Sequence, residues 1–68
     1  SMREEIVRHS DGNYITLKSD SLQIKYCSTC WGNENKLIQL YEENKISSDY
    51  PQCPNCLTIF LKARNKGQ

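Results

Sequence analysis

Four cysteines fall in two tight pairs, Cys27-Ser28-Thr29-Cys30 and Cys53-Pro54-Asn55-Cys56, with 22 residues between the pairs. In a chain of 68 residues this pattern constrains the fold more than anything else. A domain this small buries too little apolar surface to rely on packing, and such a core rarely supplies more than about 3–5 kcal/mol. Hydrophobic residues make up 37% of the chain, so the core is expected to be thin even for its size. A staple is required, and the cysteines are the candidates for it.

Two disulfides would be one kind of staple, but disulfide scaffolds usually scatter their cysteines so that the bridges close longer loops. No stretch resembling a signal peptide or a transmembrane helix occurs, which makes a reducing, cytoplasmic setting the expectation. Two intervening residues place both sulfurs of a pair on one side of a tight turn, where backbone N–H groups can face the thiolates. Two such turns supply four ligands for one tetrahedral zinc ion at about 2.3 Å. Cys27, Cys30, Cys53 and Cys56 are therefore the expected metal ligands, with Lys25 and Lys36 placed to spread the charge of the site. A closed four-thiolate shell has no position for water, so the expected role is structural and not enzymatic. A redox Cys-x-x-Cys would need a thioredoxin-like βαβ frame, for which the chain is too short. Four thiolates also suit iron. A rubredoxin, an iron-based electron carrier, has glycine after the second cysteine of each pair, where this chain has Trp31 and Leu57.

Around the cysteines the chain reads as strands. Ser1-Met2 resembles the scar of a cleaved tag, and residues 3–61 form the expected domain. Glu4–His9 and Tyr14–Lys18 read as a hairpin closed by the turn formers Ser10-Asp11-Gly12-Asn13. Leu22–Tyr26 is expected to run extended into the first pair. Trp31–Asn35 reads as a polar turn, and Lys36–Glu42 as a strand, with an amphipathic helix to Lys45 as the alternative. Leu57–Leu61 reads as a last strand, and residues 62–68 as a flexible tail.

The run Tyr26-Cys27-Ser28-Thr29-Cys30-Trp31, then Lys36-Leu37-Ile38-Gln39-Leu40 and Cys53-Pro54-Asn55-Cys56, resembles a zinc ribbon. More narrowly it is similar to the C-terminal ribbon of small bacterial and phage-associated proteins of poorly defined function. That resemblance covers about residues 5–60 and implies a small all-β fold. In it, two metal knuckles sit on β-hairpins behind an N-terminal hairpin, and the role is one of binding.

The net charge is +1, which gives no global reason to expect nucleic acid. The distribution is uneven: residues 1–56 hold six basic and eight acidic side chains, whereas the stretch from Leu57 onward holds Lys62, Arg64 and Lys66 and no acid. Those three cations could meet phosphate or an acidic partner. Trp31 is expected to cover the sulfurs, or else to present its ring for stacking or for seating a partner. His9 is expected on an exposed strand position, and neighbouring acids such as Glu42 and Glu43 point to opposite faces of a strand and form no dyad. The expected role is a recognition or assembly module within a larger intracellular protein, with a protein partner and no membrane. Nucleic-acid binding and iron-based electron transfer are the alternatives.

Because the metal outweighs the core, Cys30→Ser is expected to leave the chain largely unfolded: a structural zinc contributes about 10–16 kcal/mol near neutral pH. A variant that kept its dispersed NMR spectrum in the presence of a chelator would overturn this account.

Overall fold

The computed structural model describes residues 1–67. The N-terminal hairpin forms, with a first strand shorter than the expected Glu4–His9 because Glu4 and Glu5 belong to a helical turn. A single helical turn, α1 (Met2–Glu5), leads into β1 (Ile6–Arg8), which pairs antiparallel with β2 (Tyr14–Leu17). A short third strand, β3 (Tyr26–Cys27), adds antiparallel to the other edge of β2 and delivers the first cysteine. Between them, Asp20 closes the turn by accepting from the backbone N–H groups of Leu22 and Ile24.

The register sorts the side chains, since paired residues share a face and neighbours along a strand alternate. Ile6, Arg8, Ile15, Leu17 and Tyr26 lie on one face; Val7, Tyr14, Thr16 and Cys27 lie on the other. Ile15 is fully buried, and Thr16 beside it is 3% exposed. The buried Thr16 hydroxyl would be costly without a partner. His9 supplies one, its Nε2 lying 2.8 Å from Thr16 Oγ1. The His9 ring also stacks on Tyr14 at 4.6 Å between centroids. His9 is thus a half-buried part of the hairpin and not the exposed residue expected.

The all-β ribbon is not what forms. Helix α2 (Ser28–Glu34) begins within the first cysteine pair, and α3 (Pro54–Lys66) begins within the second. The fold is mixed: a three-stranded antiparallel sheet with helices. Trp31–Glu34, expected as a turn, is the second half of α2, which ends at Asn35 in the left-handed conformation (φ 55°). Asn tolerates that conformation and so makes an effective stop. The expected strand over 36–42 shrinks to one bridge, Tyr26 to Gln39, although the Cys27 N–H to Ile38 carbonyl (2.8 Å) and Leu40 N–H to Lys25 carbonyl (3.0 Å) bonds keep it beside β3.

Leu57–Leu61 is helical despite its β-branched residues. Cys53 caps this helix and Pro54 occupies its first turn, where a missing N–H costs nothing. Thr58 turns its hydroxyl back to the Pro54 carbonyl at 3.0 Å. The basic residues expected in a loose tail continue the same helix through Lys66; Gln68 lies outside the described residues.

The 13 residues of α3 span about 20 Å and bury none of their side chains completely. From Thr58 onward every described residue is exposed. Tyr50 is the strut between this helix and the body. Its ring meets Phe60 edge-on at 5.9 Å, and its hydroxyl accepts from Arg64 at 3.4 Å. The molecule is accordingly elongated, 44 × 25 × 17 Å.

Ile15 is the fully buried aliphatic side chain of the sheet. Ile15→Ala is expected to destabilise the metal-loaded domain by about 2–5 kcal/mol in chemical denaturation. A loss well under about 1 kcal/mol would show that the sheet contributes little to stability.

Candidate metal centre

Both cysteine pairs adopt one local design. Cys27 is the N-cap of α2 and Cys30 its third residue; Cys53 is the N-cap of α3 and Cys56 its third residue. In each case the first sulfur replaces the side-chain oxygen that usually caps a helix. Cys27 Sγ accepts from the Cys30 N–H at 3.4 Å, and Cys53 Sγ accepts from the Cys56 N–H at 3.5 Å. The positive end of each helix therefore faces the sulfurs, which favours thiolate over thiol.

The chain brings the two helix starts together. β3 sets the first, and the segment from Asn35 to Gln52 returns to set the second. The Tyr41 N–H to Gln52 carbonyl bond (2.9 Å) closes that return. The Gln52 side-chain amide donates to the Ser47 and Tyr50 carbonyls at 3.0 and 2.9 Å, tying down the loop between.

The four Sγ atoms lie within 4.8 Å of one another. Cys27 to Cys56 is 3.8 Å, Cys30 to Cys53 is 3.7 Å and Cys30 to Cys56 is 3.9 Å. A tetrahedral ion with metal–sulfur bonds of about 2.3 Å requires sulfur–sulfur edges of about 3.8 Å. Disulfides would require about 2.05 Å, and all four cysteines are free. The donor set and its spacing fit one metal ion.

Cys27, Cys30 and Cys53 are buried, and Ile38, Leu40 and the half-buried Cys56 pack against them. Cys56 also lines an open groove of about 360 Å³ with Leu40, Tyr50 and Pro51. The apolar cover expected from Trp31 comes instead from Ile38 and Leu40. Trp31 lies about one turn along α2 from Cys27 and lines a different cavity, with Arg3, Ile6 and Arg8.

Burial pushes Cys27 up, but the donors around its sulfur, the Cys30 backbone N–H first, hold it below the ordinary thiol value on balance. Burial raises Cys53 on balance. Burial, followed by the neighbouring Cys27 sulfur, lifts Cys56 far above the ordinary thiol range. The metal-free cluster thus holds protons that an incoming cation must displace, so affinity falls as pH falls.

The expected helpers Lys25 and Lys36 are engaged elsewhere. Lys25 pairs with Glu43 at 3.5 Å and lies over the Tyr14 ring at 4.7 Å, and Lys36 pairs with Glu34 at 3.2 Å. The side chain that does reach a sulfur is Asn55, whose Nδ2 donates to Cys30 Sγ at 3.4 Å across the cluster. The sequence alone does not single it out, because it is one of the two spacer residues within a pair. The caps explain it: a side chain at the second position of α3 faces the opposing pair.

No family model, curated protein or solved structure matches the chain. The likeness to zinc ribbons therefore rests on the cysteine spacing, and the helices depart from it. Among the described residues, no helix is long and apolar enough to cross a membrane.

Outer donors of this kind typically govern metal affinity by about 10–100-fold. Asn55→Ala is expected to weaken metal binding within that range, as read by competition with a chromophoric chelator. An unchanged competition curve would mean that the amide carries none of the thiolate charge.

Proposed function

We propose that this chain is a non-catalytic, zinc-stapled module for protein–protein recognition or assembly in a reducing compartment. The closed all-thiolate tetrahedron supports a structural centre. Zinc over iron is supported by Trp31 and Leu57, which occupy the positions where rubredoxins have glycine.

The observation that carries the recognition role is α3. It stands clear of the body with Ile59, Phe60 and Leu61 exposed by 59, 39 and 41%. A helix of this length is marginal in water by itself, and exposed apolar surface of this kind marks interaction sites. Seating such a helix in a partner's groove would cover it, a common mode of recognition.

Nucleic-acid binding is a second reading, favoured by one observation. Lys62, Arg64 and Lys66 stand on an ordered helix with no acid from Leu57 onward. Three cations permit few phosphate contacts, so any such binding would be weak at physiological salt.

Native mass spectrometry of reduced protein is expected to show one zinc, lost on denaturation, with four free thiols. Iron in its place would redirect the assignment to electron transfer. Ile59→Asp and Leu61→Asp are expected to abolish retention of a specific partner while leaving zinc content and the NMR fingerprint intact. Undiminished retention would remove α3 from the interface. A steep fall in DNA or RNA affinity with salt would support the second reading, and flat titrations at low salt would eliminate it.

A further inference from the structure

On the hairpin face opposite Cys27, α1, β1 and the end of α2 enclose a second concave site. It measures about 370 Å³ and is lined by Arg3, Ile6, Arg8, Trp31, Gly32 and Asn35. The metal centre makes no use of these side chains.

Three features define its chemistry. First, Arg3 and Arg8 have no carboxylate partner among the described residues, and neighbouring acids make other contacts. Glu5 accepts from the Ser19 hydroxyl at 2.8 Å, Asp11 accepts from the Tyr14 hydroxyl at 2.9 Å, and Glu34 pairs with Lys36 at 3.2 Å. Two arginines without a carboxylate partner thus line one cavity. Second, Trp31 is half-buried and brings a flat indole to the same cavity. Third, the exposed Gly32 also lines the cavity, and a Cβ built there meets nothing within 4 Å.

We propose that this cavity binds a nucleoside monophosphate, with its phosphate on Arg3 and Arg8 and its base on Trp31. A phosphomonoester carries about −1.5 to −2 charges at neutral pH, which matches two guanidiniums, and their forked donors suit its oxygens. A single carboxylate would leave one arginine unpaired. An indole stacks on flat rings, and the lining also includes Asn35, a residue type that pairs with an adenine edge. Arg3 and Arg8 are the two cations that line the cavity, which argues for one nucleotide and not a strand. A polynucleotide needs a continuous basic track, and here the basic stretch ends after two residues.

The test is an NMR titration of the full zinc-loaded chain with adenosine monophosphate, adenosine, inorganic phosphate and free phosphotyrosine. Adenosine monophosphate is expected to shift the Trp31 indole N–H and the Arg3 and Arg8 Nε–H signals. It is expected to bind at least about tenfold more tightly than any of the other three. Gly32→Glu adds a carboxylate to the lining of the cavity without a clash at its Cβ and is compatible with the helix. It is expected to weaken binding by about tenfold or more, as is Arg8→Gln, a change at an exposed side chain that serves if the first variant misfolds.

No localised shift at millimolar adenosine monophosphate overturns the proposal. So does equal binding of phosphate alone, which would show that the ring is not read, or equal binding of phosphotyrosine. Unchanged affinity in Arg8→Gln also overturns it. Tighter, strongly salt-dependent binding of a single-stranded oligonucleotide would replace the free nucleotide with a strand.

Discussion

The structure depends on two helices starting at one cluster of sulfurs. Cys27, at the end of β3, and Cys53, at the end of the returning loop, each cap a helix, and Cys30 and Cys56 each sit one turn further on. Both helix dipoles present their positive ends to the site that gathers the most negative charge. An ion held by four thiolates leaves about two net negative charges, which the backbone N–H donors and the Asn55 amide disperse without any lysine. The ligands and their charge compensation therefore come from the same local geometry, in which a capping sulfur faces the N–H of the next cysteine.

This design also decides the course of the chain beyond each pair. In a rubredoxin glycine follows the second cysteine of each pair, where it eases a reversal of the chain because it accepts positive φ. Here Trp31 and Leu57 occupy those positions, and neither suits a reversal. The chain continues in the conformation that the cap has already begun. Propagating a started helix costs far less than nucleating one, so the cap outweighs the strand preference of Thr58, Ile59 and Phe60. α2 stops where a residue tolerant of the left-handed region arrives, at Asn35.

That contrast explains how much of the molecule is legible in its sequence. The hairpin is legible because Ile6, Val7, Tyr14 and Ile15 are strand formers separated by Ser10-Asp11-Gly12-Asn13, a purely local signal. The metal ligands are legible because chemistry fixes their spacing. The helices are not, since their cause is non-local: a thiolate becomes an effective cap when the opposing pair and an ion make it one. Trp31 and Leu57 are visible as departures from the rubredoxin pattern, but in the sequence they bear on the metal and do not by themselves announce helices. Lys36–Glu42 fails to form its strand for a related reason. Its alternation suits a strand, but with α3 taking the place of the last strand it has one neighbour, β3, and forms a single bridge there. The roles of Asn55 and Trp31 arise from helix geometry, so a strand reading has no means of placing either.

The metal centre finally acts as a joint. On one side lies the sheet, whose burial centres on Ile15 and Thr16. On the other is a helix held to the body by Cys53, Cys56 and the contacts of Tyr50 with Phe60 and Arg64. Exposed contacts of that kind contribute about 1 kcal/mol each, so the sulfur–metal bonds set the direction in which α3 points. Occupancy of the four sulfurs and presentation of Ile59, Phe60 and Leu61 are thereby linked. If α3 is recognised as proposed, a partner selecting this orientation would read the metal-bound state and would in turn favour metal retention, because anything that binds the folded form shifts the balance toward it.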